Sequence, residues 1–161
     1  MENISKRSKE GIILENGKKL IFEEIEGKRI YNPTAPFKIG DEVYMVCRVE
    51  DRSSGKSMAM LFQLKQDKWF LVKDAPIFNL EDPFITHFKN GVLFGGVDVK
   101  WHNGKIEYLK TNFYYGKSFF DLDPQTPFAQ GPLMMKDIRI VEIDNGFGVF
   151  YEATRWRIFK G

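Results

Sequence analysis

Three stretches of the chain follow one plan, and that self-similarity narrows the fold more than any other feature. "YNPTAPFKIGDEVYMVCRVED" (31–51), "EDPFITHFKNGVLFGGVDV" (81–99) and "KDIRIVEIDNGFGVFYE" (136–152) each pass from a polar residue into a strand, turn near a glycine, and return as a mostly apolar strand. Asn32, Asp82 and Asp137 hold equivalent places, 50 and 55 residues apart. This period fits a four-stranded β-propeller blade of about 40–50 residues with loop insertions. In such a ring the innermost strand of each blade starts at the same end of the central channel, so the heads of the repeats converge although they are distant in sequence.

Almost nothing reads as helix. The segments 11–25, 41–50, 58–74, 83–99 and 138–152 are β-branched and aromatic runs, punctuated by Asn16-Gly17, Asn90-Gly91, Asn103-Gly104 and Asn145-Gly146. An Asn-Gly pair supplies the positive φ angles of a two-residue hairpin turn, so the chain is expected to be all-β and meandering. Two full units are counted, 32 to about 80 and 82 to about 130, with a third starting at 137. The 11–30 hairpin is expected to be outer strands of a blade completed from elsewhere. The expectation is a single partial β-propeller domain over residues 1–161, with about three blades. The competing architecture is a β-sandwich in which the repeat is accidental.

Several function classes drop out. A net charge of +2 without a long block of one sign gives no nucleic-acid footprint, and Lys6-Arg7-Ser8-Lys9 reads as a solvated terminus. The first thirty residues lack a secretory apolar region, and no stretch reaches the roughly 18 apolar residues of a spanning helix. No membrane partner is therefore expected, the cytoplasm is the default location, and Asn3-Ile4-Ser5 carries no meaning as a glycosylation acceptor. Cys47 is the only cysteine, which excludes an internal disulfide. His87 and His102 have no spacing that suggests a metal site, so neither metal nor organic cofactor is expected.

Candidate functional residues gather at strand ends. "VCRVEDRSSGKS" (46–57) leaves a buried-looking strand through Arg48, Glu50, Asp51 and Arg52. Its Gly55-Lys56-Ser57 is not a phosphate-binding loop, because Glu50 stands where that motif needs glycine. Asp82-Pro83 and Asp123-Pro124 are both turn openers, since proline drives the preceding residue out of helical space. Only Asp82 also heads a repeat. Lys136-Asp137 share its phase and are expected beside it on one rim.

"YNPTAPF", "YMVCRVEDR", "EDPFIT" and "KDIRIVEI" resemble the signatures of the five-bladed propellers of the mannoside phosphorylases, glycoside hydrolase family 130, and of the related mannosyltransferase/phosphorylases of glycosyltransferase family 108. The resemblance runs from about residue 31 to 150. It implies a five-bladed ring of which this chain holds the N-terminal part, and a pocket at the channel mouth for a mannosyl unit and phosphate. Asp82 would be the catalytic acid, and Asn32 and Arg48 would bind sugar or phosphate. Lys136 and Asp137 would sit beside the leaving or attacking group, with Glu50, Asp51, Arg52 and Glu81 lining the same site. The partners implied are a mannoside and inorganic phosphate as co-substrate, together with a second copy of the chain that completes the ring. Two other readings stay open: a non-catalytic carbohydrate-binding module stacking sugars on Trp101, Tyr114 and Tyr115, and a propeller fragment that depends on assembly.

Overall fold

The computed structural model describes residues 19–144, 146–151 and 157–160. The Asn3 and Lys6-Arg7-Ser8-Lys9 readings, the Asn16-Gly17 turn, Asn145 and most of the tail from 152 lie outside them. Among the described residues there are thirteen strands, one 3-10 turn (Phe119–Asp121) and no helix long and apolar enough to cross a membrane.

The strands form three sheets in chain order. The first contains β1 (Phe22–Glu23), β2 (Lys28–Tyr31), β3 (Phe37–Ile39), β4 (Glu42–Asp51), β5 (Ser57–Lys65) and β6 (Lys68–Leu71), ordered β1-β6-β5-β4-β2 with β3 also on β4. The second, ordered β10-β9-β8-β7, contains β7 (Glu81–Phe88), β8 (Gly91–His102), β9 (Lys105–Gly116) and β10 (Ala129–Gln130). The third is β11 (Arg139–Ile143), β12 (Gly146–Phe150) and β13 (Arg157–Lys160). All pairs are antiparallel except β1 with β6. The sequence units thus match sheets. The opening segment differs from expectation: β1 closes one edge of the first sheet itself and β2 pairs with β4 at the other, so both belong to the first sheet and not to a unit completed from elsewhere.

Both faces of the first sheet are dry, which explains why β4 reads as a continuous apolar run. Successive side chains of a strand point to opposite faces. Tyr44 and Val46 accordingly join Ala59 and Leu61 in the core facing the second sheet, while Met45, Cys47 and Val49 join Met60 and Phe62 on the other side. Phe78, 1% exposed, is the hub between the first two sheets, with ring centroids 4.7 Å from Phe94, 4.7 Å from Tyr114 and 5.6 Å from Phe119. Leu93, Phe113 and Ile138 form the core between the second and third. Tyr114 is 4% exposed and belongs to this interior, so it cannot offer a stacking face to a sugar.

The turns are partly as expected. Asn103 and Gly104 have φ of 49° and 72° between the paired His102 and Lys105, the two positive angles of a primed hairpin turn. At Asn90-Gly91 the turn lies one residue earlier, on Lys89 and Asn90, because Phe88 pairs with Gly91. Gly91 serves close packing: a Cβ there would lie 2.2 Å from the Gly116 carbonyl oxygen.

The repeat heads share one backbone device. Asn32, Asp82 and Asp137 have φ of 44°, 48° and 56°, the left-handed region that costs a non-glycine residue roughly 1 kcal/mol or more. In the first sheet, β2 and β3 occupy one edge of β4, separated by residues 32–36. Thr34 carries the ladder across this break, its amide donating to Val46 O at 2.8 Å and its hydroxyl oxygen accepting from Val46 N at 3.1 Å. In the second sheet the register shifts between Glu81 and Phe84, at Asp82-Pro83.

Two outcomes follow from this packing. Phe78→Ala is expected to lose about 3–5 kcal/mol of stability by emptying the hub, measured by urea unfolding. Cys47 is buried and its thiol pushed up to about 12, so a thiol reagent should label it only after unfolding.

Candidate functional site

The three heads and the exit of β4 meet at one rim. Asp82, turned out of the ladder by its left-handed backbone, presents Oδ1 to two donors from the first sheet: the side-chain amide of Asn32 and the Arg48 guanidinium at 3.2 Å. The same Arg48 nitrogen lies 3.2 Å from Glu81 Oε2. Arg48 is itself fixed by Ser57 Oγ, which accepts from its Nε at 3.0 Å, by Glu50 at 3.7 Å, and by the Tyr31 ring 5.6 Å below it. Glu50 in turn accepts from the Tyr31 hydroxyl at 2.7 Å. The expected meeting of residues 32, 48, 81 and 82 therefore occurs, across two sheets.

The third sheet contributes Lys136, Asp137 and Arg139. Lys136 Nζ is 3.6 Å from Asp137 Oδ2, and Arg139 spans 3.7 Å to Asp137 Oδ1 and 3.4 Å to the backbone oxygen of Asp82. Arg139 also stacks over Phe84 at 4.4 Å. The sequence reading missed this residue, because within "IRIVEI" it looks like an outward strand position. Its phase, two residues past a repeat head, was the available signal.

Two expected members stand apart. Asp51 turns into its own loop, where Oδ1 accepts from the Ser53 hydroxyl, Ser53 N at 2.9 Å and Ser54 N at 3.0 Å. These bonds hold its carboxyl well below the usual range, and its role is that of a turn cap. Arg52 is exposed on the same turn and joins none of these pairs. Asp123 likewise caps its own turn, through Gln125 N and Thr126 Oγ1. Among the described residues no group of His, Cys, Asp and Glu has a metal-holding arrangement.

The rim's electrostatics centre on Glu81. Burial raises its carboxyl above the usual value, Arg48 opposes this, Asp82 and Glu50 add to it, and Lys136 opposes it from the third sheet. The cations Arg29, Arg48, Lys136 and Arg139 pair with four carboxylates, those of Glu50, Glu81, Asp82 and Asp137. Beside Glu81 opens a cleft of about 510 Å³, walled by residues 54–57, Asn79, Val97, Val99 and Trp101.

The family model described as "Protein of unknown function (DUF1861)" matches residues 6–158. No curated protein matches the chain. Among solved structures, a GDP-Man-dependent mannosyltransferase from Leishmania mexicana is 36% identical with a TM-score of 0.74, over 82% of this chain and 43% of its own. A mannose phosphorylase from the same organism, solved in complex with phosphate ion, is 32% identical with a TM-score of 0.74, over 82% and 41%. A hypothetical protein from Leishmania major is 31% identical with a TM-score of 0.72, over 84% and 44%. The chain spans less than half the length of each of these structures.

The raised Glu81 carboxyl has a stability signature. Folded Glu81 holds its proton more tightly than the unfolded side chain with its ordinary value of 4.5, so this group favours folding below that pH and loses the increment as pH climbs through the raised value. Glu81→Gln is expected to flatten the decline of melting temperature with pH above 4.5, followed by calorimetry across a pH series.

Proposed function

We propose that this chain, which belongs to the DUF1861 family, is the sugar- and phosphate-handling part of a carbohydrate-active β-propeller that transfers a mannosyl unit to or from phosphate, with Asp82 as general acid. The observation that carries the reading is the bridge from Asn32 and Arg48 to Asp82 across two sheets, at heads that share a left-handed backbone. The likeness to a mannosyltransferase and a mannose phosphorylase, at 36% and 32% identity, supports the substrate class.

On this reading the three sheets are three blades of a five-bladed ring forming one domain, and further chain or a second copy supplies the remaining sector. Phosphate enters beside Arg48, Lys136 and Arg139, whose donors neutralise it. One of its oxygens attacks the anomeric carbon as the glycosidic bond breaks, and Asp82 gives its proton to the departing oxygen, directly or through a sugar hydroxyl. The nucleophile comes from solution, so one protein acid suffices. Asn32 and Arg48 orient Asp82, while Glu81 takes up a proton as phosphate charge arrives.

A binding-only reading is favoured by one observation: Trp101 is 59% exposed at the mouth of the cleft beside Glu81, where it can stack on a sugar whether or not chemistry follows.

The chain incubated with phosphate and a mannooligosaccharide is expected to release mannose 1-phosphate, and Asp82→Asn to slow that release by about 10²–10⁴-fold while leaving the melting profile folded. Sugar affinity by calorimetry that is unchanged in Asp82→Asn, with no product from either protein, selects the binding-only reading.

A further inference from the structure

We propose that the end of the sheets opposite the rim carries an anion site, lined by Lys38, Lys89 and Lys117, which takes an organic phosphate with its ester group in the apolar groove alongside. The site stands independently of any reading of the rim. β7 leaves the rim at Glu81 and ends at Phe88, so the two places lie about 20 Å apart at the usual rise of about 3.3 Å per residue. Three connections meet at this far end: the β3–β4 turn after Ile39, the β7–β8 turn at Lys89-Asn90, and the segment that follows β9 at Gly116. Between them lies a hollow of about 280 Å³, lined by the three lysines together with His87 and Ser118.

No Asp or Glu lines this hollow. Lys28, Lys68, Lys73, Lys100 and Lys136 each pair with a carboxylate, whereas among the described residues none pairs with the ammonium of Lys38, Lys89 or Lys117. The acids that touch the lining residues are held by backbone: Glu142 accepts from the Lys89 amide at 2.7 Å and Asp121 from the Ser118 amide at 3.0 Å. Cations gathered without a counter-ion repel one another, and an anion that enters relieves the repulsion. Lysine meets phosphate as a compact charge, and three of them suit a dianion with three acceptor oxygens better than a single carboxylate. Ser118 Oγ accepts from Phe120 N at 3.1 Å, which leaves its hydroxyl hydrogen to donate to such an oxygen.

The hollow runs into a groove of about 580 Å³ between β3 and β7, and Lys38, His87 and Val92 are common to both. Pro36, Phe37, Val43 and Ile85 make the groove apolar. Its volume lies within the roughly 300–1,000 Å³ of small-ligand sites, and the combination of an apolar body with a few convergent polar groups is their usual chemistry. A free phosphate ion uses the lysines and leaves the groove unused. A monoester with an apolar alcohol part uses both.

Partial acetylation mapped by mass spectrometry locates the anion, run with phenyl phosphate and with inorganic phosphate at constant ionic strength. Phenyl phosphate at about ten times its Kd is expected to slow acetylation of Lys38 and Lys117 by about tenfold and to leave the exposed Lys65 and Lys105 at their free rates. Inorganic phosphate should need a higher concentration for the same protection. In Lys38→Gln/Lys117→Gln, whose two sites are exposed, protection of Lys89 should need about tenfold more phenyl phosphate while the melting temperature is unchanged. Equal slowing at every lysine is general screening and overturns the site. Protection confined to Lys136 places the anion at the rim alone and overturns it, as does protection nowhere. Equal protection by both ligands at equal concentration overturns the ester and assigns the hollow to the free ion.

Discussion

Burial of both faces of the first two sheets is the constraint from which the rest follows. A strand with water on neither side cannot place its polar groups along its length, so charge is confined to its ends and to the turns beyond them. β4 shows this directly: residues 44–47 and 49 are buried, and Arg48, Glu50 and Asp51 come where the strand leaves the stack. Stacking these two sheets and the third then brings three sets of strand ends to one rim. The convergence of Arg48, Asp82 and Arg139 is a consequence of how the apolar surfaces pack, and Phe78, at the hub of the first interface, holds the registration on which the 3.2 Å contact between Arg48 and Asp82 depends.

The left-handed heads add direction to that convergence. A residue in regular β conformation would alternate with its neighbours and point into one of the two dry cores, where an unpaired carboxylate costs several kcal/mol. A single positive φ, at about 1 kcal/mol, takes the side chain out of alternation and lets it meet partners from the adjacent sheet. The bulge at Asp82-Pro83 and the Thr34 bridge are two ways of letting the ladder survive that excursion. The same device at Asn32, Asp82 and Asp137 argues that the strain is kept for what it positions, since three independent turns could each have used glycine.

Much of this was legible in the sequence because the signal was repetition, which does not depend on local propensity. The phase of residues 32, 82 and 137 foretold the shared rim and the starts of the second and third sheets, while the first sheet also takes in β1 and β2 from before its head. What failed to read was local competition. Asp51 has the charge of a site residue, but Ser53 and Ser54 behind it offer four donors within reach, and a short Asx-type turn wins over a longer reach to the rim. Asn90-Gly91 has the letters of a hairpin turn, yet the glycine is needed for the approach of Gly116, so the turn moves back to Lys89. Tyr114 and Trp101 look alike as aromatic letters, and only the sheet's faces separate a ring locked against Phe78 from one left beside a cleft.

Glu81 and Asp82 are adjacent in sequence and touch the same guanidinium nitrogen, yet they occupy different settings. Asp82 receives two side-chain donors, from Asn32 and Arg48, which fix its orientation. Glu81 has Arg48 and, more weakly, Lys136 against its burial, and the neighbouring Asp82 and Glu50 charges push its proton affinity up. Two carboxyls with distinct surroundings on one cation make a pair in which a change at the guanidinium is felt by both. An incoming anion competes for Arg48 and weakens its hold on Glu81, which removes the main opposition to the burial that raises this carboxyl. The single shared guanidinium thus couples the two carboxyls, so that whatever occupies the rim is felt at both, a coupling that neither carboxylate could produce alone.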